Sequence, residues 1–443
     1  LDRPPFLLKF DPFLHAKELP VVPTELRSGE GLDSATRHNV LVESIFSGFN
    51  GIFMALAIVA APVAAVSGVG AGPLELTVLV SAFPVGVFFG PVWATLGRRW
   101  GMRSLVTFMA VAANIPLFFV FWVDKSWVFT LLVTIAQFLN SAMRMGQSSL
   151  YSVLYPREIR GRVIGKFVFW TYLTMVPSIL ITGWLLEISH ETYRILYPLA
   201  GLAGLIGCYF YHNLHLPTAA APPVVRPTLT ESVSGVNRVL SGDRAYRVFQ
   251  IAYFLSGAAF FMSTHVVLLL VRRDLQFGPF GLAASLSVLP QLVLALSSTL
   301  WGRILDRIGI IRCRVLISVL STVYLLCYLL GVLLRWPVLI VIGSILFGFG
   351  NSGGQLTWAL GSTYFAPKVE DVPVYNGIHF VLNGIRGLLL PWVGSILFVL
   401  SGPWALLAAV LTSGLSILVS WHSLRIEPKD AGPVAALAGP PNE

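Results

Sequence analysis

Apolar residues gather in long runs along this chain, and the charged, polar and Pro- or Gly-rich positions gather between them. A run of roughly 20 apolar residues is what a helix needs to cross about 30 Å of hydrocarbon, and in that setting only a helix satisfies its own backbone. Twelve runs qualify, at about 41–66, 75–96, 104–123, 127–154, 163–186, 195–213, 247–271, 279–301, 314–334, 337–360, 374–398 and 403–423. The pattern predicts an all-α membrane protein of twelve transmembrane helices.

These spans form two sets of six. Trp93, Ala94, Arg98, Arg99 and Gly101 recur 208 residues later as Trp301, Gly302, Asp306, Arg307 and Gly309, and Gly146-Gln147 recurs at the same offset as Gly354-Gln355. Tandem halves of this kind are a common transporter architecture. The expected organisation is a cytoplasmic tail at 1–40, a six-helix bundle at 41–213, a linker at 214–246 with its Pro-rich part at 217–227, a second six-helix bundle at 247–426, and a Pro/Ala/Gly tail at 427–443. The first 40 residues contain no apolar stretch of signal-peptide type.

Composition removes the soluble alternatives. A chain that is 56% hydrophobic and 12% charged, with mean hydropathy +0.77, carries more apolar surface than a water-soluble core of this size can hide, so lipid is its solvent. Its net charge of +9 is read as topology, because cytoplasmic loops retain Lys and Arg. Arg98, Arg99 and Arg103 follow span two, Arg157, Arg160 and Arg162 follow span four, and Arg303, Arg307, Arg312 and Arg314 follow span eight. The other side carries only Lys125, Arg194, Arg272, Arg273 and Arg335. Both termini are then cytoplasmic, in a pattern that fits a bacterial inner membrane, and no nucleic-acid partner is needed to account for the charge. Cys208, Cys313 and Cys327 have no metal-ligand spacing, which predicts neither zinc nor a structural disulfide. The chain has no phosphate-binding loop, HExxH or nucleophile elbow, so no enzyme and no cofactor are expected.

Three motif fragments carry a family resemblance. Gly302, Asp306, Arg307 and Gly309 resemble the loop after the second span of a half in the major facilitator superfamily. Pro156, Arg157, Glu158, Arg160 and Gly161 resemble its loop after span four. Arg144 with Gln147 is similar to the Arg-x-x-Gln element of its proton-coupled exporters, although Ser148 stands where Gly is expected. The resemblance covers about 41–425 and implies two bundles alternating around a central site, with spans one, four, seven and ten lining it and three, six, nine and twelve peripheral.

That resemblance also implies a latch. Asp306 is expected at the start of span five, near Gly161 and Arg162, where free N–H groups and the helix dipole favour a negative charge. The first half has Arg98 in place of the acid, so its counterpart is expected with the charges exchanged, Arg98 or Arg99 pairing with Glu370 or Asp371 before span eleven. The alternative is that these are solvated topology charges. An exposed pair contributes only about 0 to 1 kcal/mol, which suits a gate that must reopen.

Candidate substrate residues lie on polar stripes. In span eleven, Asn376, His379, Asn383 and Arg386 follow at steps of three, four and three, which keeps them on one face. Span four offers Gln137, Asn140, Ser141 and Arg144, span ten offers Asn351 and Gln355, and span one offers Glu43 and Asn50. All the acidic residues are expected in tails, loops or end turns, with Glu43 the deepest, only about a turn inside. Arg144 and Arg386 therefore lack a mid-membrane carboxylate, although an unpaired charge in lipid costs at least about 2.5 to 3.5 kcal/mol.

A guanidinium fork suits a carboxylate or phosphate. Arg386 is accordingly read either as a substrate clamp, with Asn383, Asn351, Gln355, Asn140 and Asn50 around it, or as a brace on backbone carbonyls near Gly384, Gly387 and Pro391. Arg144 is read as structural or gating, within reach of Glu43 and beside Gln147. His379 is the leading titratable candidate and His265 the second. The expected function is a secondary transporter of a small anionic or zwitterionic organic solute. An exporter of amphiphiles or lipids, and a non-transporting subunit of a membrane complex, are the alternatives.

Overall fold

The computed structural model describes residues 34–155, 157–215, 238–368 and 371–426. Most of the expected tails and linker, together with Pro156 and Glu370, lies outside the described residues. The described residues are mostly helical and contain no strand.

The first bundle contains α1 (Ser34–Met54, a π-helical turn Ala55–Val59, then Ala61–Gly68), α2 (Pro73–Phe88 continued by Gly90–Trp100), α3 (Met102–Phe119), α4 (Ser126–Leu154), α5 (Arg157–Ile188) and α6 (Tyr193–Tyr211). The second contains α7 (Arg244–Asp274), α8 (279–308), α9 (310–333), α10 (Pro337–Phe365), α11 (Val372–Ser401) and α12 (Trp404–Ser423). The helical stretch Leu289–Leu333 is 45 residues long. A straight helix of that length would run about 67 Å, more than two membrane thicknesses. Gly309 interrupts it at φ 74°, and Gly101, its counterpart 208 residues earlier, sits between α2 and α3 at φ 81°. Both reversals use a backbone region that a side chain disfavours, which is why the repeated motif ends on glycine.

Helix ends and bends follow from local chemistry. Pro73 stands at the first position of α2, and Glu75 in its first turn accepts the Gly72 N–H at 2.9 Å, the arrangement that satisfies orphan donors at a helix start. The π turn in α1 misaligns carbonyls that lipid cannot solvate. Gln137 of α4 donates to the Ala57 carbonyl at 2.7 Å and the Tyr197 hydroxyl of α6 to the Leu56 carbonyl at 3.0 Å.

Within the first bundle α1 packs on α5 and α6, α2 on α4, and α3 on α4 and α6; within the second α7 packs on α11 and α12. Large apolar side chains face outward, including Leu296, Leu400, Leu418, Trp127 and Trp184. Such a surface is sustainable only against lipid. The chain is an integral membrane protein.

Helices extend beyond several of the predicted apolar runs. α1 starts at Ser34, about two turns before 41, and α9 starts at residue 310 and not 314. At the start of α1 the physical reason is that polar residues pack against neighbouring segments and so need no lipid, whereas α9 begins as soon as Gly309 has made the reversal. At the start of α1, Asn39 Nδ2 donates to the His215 carbonyl and the His215 N–H donates to Asn39 Oδ1, both at 2.8 Å, and His38 stacks on His215 at 4.3 Å. α9 and α12 meet through Ser318–Ser420 at 3.1 Å and Thr322–Ser413 at 2.9 Å, so these two spans carry polar positions that face each other.

Candidate functional site

The polar face of α11 is held in register by α7. Asp243 Oδ1 accepts the Tyr246 N–H at 2.8 Å, its Oδ2 accepts from the Tyr375 hydroxyl at 2.9 Å, and the Tyr246 hydroxyl donates to the Tyr375 carbonyl at 2.6 Å. About three turns further along α11, Arg386 reaches across to α7. Its Nη1 donates to the Tyr253 carbonyl at 2.7 Å and its Nη2 to Asn383 Oδ1 at 2.5 Å. The guanidinium carbon lies 5.3 Å from the Tyr253 ring centre and 5.5 Å from that of Phe261. This crossing requires glycine at 257, because a β-carbon there would fall on the guanidinium.

Beside it is a cavity of about 220 Å³ between α7, α9, α10 and α11. Four residues expected from the sequence stand on its wall: Arg386 and Asn383 from α11, Asn351 and Gln355 from α10. Phe260, Phe261, Tyr324, Phe347 and Trp358 supply apolar and aromatic surface, and the wall contains no acidic side chain. Arg386 is 5% exposed, and its Nε has no hydrogen-bond partner among the described residues. Arg386 thus bonds protein through Nη1 and Nη2, to the Tyr253 carbonyl of α7 and to Asn383 and not to the carbonyls near Gly384, Gly387 and Pro391, while Nε has no partner among the described residues.

Sequence reasoning missed Arg314 by counting it among the loop cations after span eight. In the structure Arg314 is 3% exposed, lines the same cavity and places its guanidinium carbon 4.3 Å from the Tyr253 ring centre. Since a single residue, Gly309, makes the reversal, Arg314 is already the fifth residue of α9. It shares a helical face with Ser318 and Ser321. The signal available was the glycine shared with the first-half motif.

Other expected lining residues lie elsewhere. His379 is buried beside this cavity and is not on its wall; its Nδ1 meets Gln250 Oε1 at 3.2 Å, and its ring stands edge-on to Tyr253 at 4.7 Å. His265 bonds Ser395 at 2.8 Å. Asn50 and Asn140 are buried in the first bundle and do not join Arg386.

The first bundle has its own polar centre. Glu43 is 0% exposed, nine residues into α1, and its Oε2 accepts from Gln147 Nε2 at 3.1 Å. The expectation that the acid lies only a turn inside the helix is therefore corrected: a fully buried carboxylate is present. Its Oε1 has no hydrogen-bond partner among the described residues. Arg144 does not form the expected ion pair with it, and donates instead to the Met54 sulfur at 2.9 Å.

The Major Facilitator Superfamily model matches residues 44–370. The chain belongs to the major facilitator superfamily. Its structure is similar to that of the nucleoside transporter NupG (TM-score 0.65, 14% identity, covering 90% of this chain and 100% of that one). It is also similar to the inward-open xylose transporter XylE from E. coli (0.65, 14%, 90% and 98%) and to the peptide transporter POT in complex with sulfate (0.68, 13%, 88% and 94%). Comparison with curated proteins finds no match.

In this superfamily member the bundles meet away from the end that carries the basic loops. The hydrogen bonds crossing between them among the described residues are Thr77 with Ser395, Ser395 to the Pro73 carbonyl at 3.2 Å, Tyr172 to Gln291 at 3.2 Å, and Phe280 N–H to Glu187 at 3.1 Å. Phe88 and Pro84 of α2 pack on Gly384 and Gly387 near the middle of α11. At the basic end Asp306, Arg99 and Arg307 are exposed and form no ion pair among the described residues, and neither does Asp371. Gly302 and Gly309 have no crowding neighbour. The Arg98 side chain and Glu370 lie outside the described residues.

The physics of that latch is realised at the opposite end. Glu187 at the end of α5 accepts the Phe280 N–H at the start of α8, across the bundle boundary. An acid at a helix N-terminus contributes about 0.3 to 1 kcal/mol. Glu187→Gln is therefore expected to raise the population open at this end by up to about fivefold. Spin labels at 125 and 335, on loops of different bundles at this end, will report this as a gain in the longer-distance component. An unchanged distribution would show that Glu187 does not hold the gate.

Proposed function

We propose that this chain is a secondary transporter that carries a small organic anion by alternating access of its two bundles. The observation that carries the reading is the Arg386 guanidinium, buried on the wall of a cavity that contains no carboxylate and left with an unused Nε hydrogen. A cation in such a place is stabilised when an anion occupies the cavity, and Asn351, Gln355 and Asn383 line the space around it.

The basic end is the cytoplasmic side by the distribution of Lys and Arg. On that assignment both termini are cytoplasmic, the conformation is open inward, and Thr77, Ser395 and Glu187 close the outer side. The inner latch, Asp306 with the start of α5 and Arg98 or Arg99 with Glu370 or Asp371, belongs to the outward-facing state. Glu43, buried and bonded by Gln147, is the coupling group, with Arg144 positioned beside it on α4. The likeness to inward-open XylE supports the orientation.

One experiment tests both halves of this reading. The purified chain in proteoliposomes is expected to exchange phenyl phosphate or benzoate faster than protein-free vesicles, and an imposed proton gradient is expected to drive accumulation. Glu43→Gln is expected to keep exchange and lose the response to the gradient. Failure of exchange with every anion would overturn the anion-carrier reading, and an unaltered gradient response in the Gln variant would overturn the coupling role.

A second reading has one observation behind it. An apolar groove of about 340 Å³ between α1 and α5 is lined by Leu41, Ile45, Phe49, Ile52 and Trp170, with Lys166 as its cation. That lining suits an amphiphile. Exchange of a single-chain anionic lipid, with none of the small anions, would favour the exporter.

A further inference from the structure

Resting on the anion-carrier reading, we propose that the transported solute presents a single doubly charged head, a phosphoryl group being the fitting chemistry, and that Arg314 and Arg386 together form its cradle. The two arginines come from different helices, α9 and α11, yet both flank Tyr253, at 4.3 and 5.3 Å from its ring centre. Both line the same cavity, and each is at least nine-tenths buried. Arg314 has Nε and Nη2 without partners and Arg386 has Nε without one. These are three donors on two cations beside one small space.

Charge decides the class of ligand. Two guanidiniums confined around one ring repel each other more strongly than they would in water, and the wall supplies no acid to offset them. A monoanion neutralises one of the two; a phosphoryl dianion neutralises both and has enough oxygens to accept from all three free donor atoms. Arginine presents its donors in a planar fork that matches phosphoryl oxygens, whereas a lone brace needs only one edge of one side chain. The aromatic surface of Phe260, Phe261, Phe347 and Trp358 faces the same space and fits a flat or apolar body attached to the head.

Phenyl phosphate and phenyl sulfate separate charge from shape. Both carry a phenyl ring and a tetrahedral head, but the phosphate is a dianion above its second ionisation, near pH ~6 for a phosphate monoester, and the sulfate is a monoanion throughout. Calorimetric titration of the purified full chain at pH 7.5 is expected to show phenyl phosphate binding at least about tenfold tighter, the worth of one charge-assisted hydrogen bond. In Arg314→Gln this preference is expected to fall below about threefold through loss of phosphate affinity, while sulfate affinity changes little.

A measurement on the unaltered protein guards against a misfolded variant. Between pH 7.5 and 5 the apparent phosphate affinity is expected to fall about five- to tenfold as the ligand takes up its proton. Phenyl sulfate, whose charge is constant, reports any titration of the wall residues Arg314, Arg386 and Tyr253 or of His379 behind them. Equal affinities for the two ligands, or a preference that survives Arg314→Gln, would overturn the two-arginine cradle and leave the anion carrier standing. Absence of binding by either ligand, with no exchange of any anion, would overturn the carrier reading itself.

Discussion

Arg386→Ala is expected to abolish anion exchange while leaving a folded, monodisperse protein. Losing one partner of a buried, hydrogen-bonded charge pair costs about 2 to 5 kcal/mol, which is roughly 30-fold to several thousand-fold in affinity. Stability behaves differently from affinity here. In the free protein the guanidinium is buried without a carboxylate and shares its site with Arg314. Its removal therefore relieves a desolvated charge, and replacing buried ionic groups by neutral ones is often neutral or stabilising. The bonds that are lost go to a helical carbonyl and to Asn383, so the melting temperature is expected to stay level or rise. Counterflow and thermal unfolding on the same preparation check the two halves. Exchange at the unaltered rate would remove Arg386 from the site, and collapse of the fold would make it a structural brace.

Gly257→Val is expected to lower exchange by on the order of tenfold to hundredfold with Arg386 intact. A β-carbon at 257 would lie only 2.0 Å from the guanidinium carbon and Nη1, so the side chain must shift away from α7 and lose its bond to the Tyr253 carbonyl. Misplacing a binding group by about 1 Å is enough for losses of this size. Overpacking of this kind also costs about 1 to 3 kcal/mol of stability. The decisive comparison is the double variant with Arg386→Ala. Because both changes act on one guanidinium, their effects should not add, and the pair should exchange no more slowly than Arg386→Ala alone. Additive losses would mean that Gly257 acts on the site by another route.

The polar faces illustrate how far the sequence could be read. Asn383 and Arg386, three apart on α11, and Asn351 and Gln355, four apart on α10, do line one cavity, since residues at those steps share a helical face. Their partners across the cavity were not legible, because periodicity places a residue on its own helix and is silent about which helix it faces. Arg314 and Glu43 were both assigned to the wrong environment for a single reason. The apolar run marks the part of a helix that needs lipid, whereas α1 starts earlier, through polar residues that its neighbours cover, and α9 starts directly after the Gly309 reversal. Burial of a charged group near a helix end is decided by that cover.

Sequence alone determined the solvent, the helix count, the tandem repeat, and the polar stripe of span eleven that carries Arg386. Each follows from covalent order and from the rule that a backbone in hydrocarbon must bond to itself. Only the tertiary structure decided that Arg314 joins Arg386 around Tyr253, that Glu43 is sealed from water, and that Glu187, not Asp306, meets a helix start across the bundles in this conformation. Those are distances between helices remote in the chain, set by side-chain packing between surfaces that no local pattern encodes.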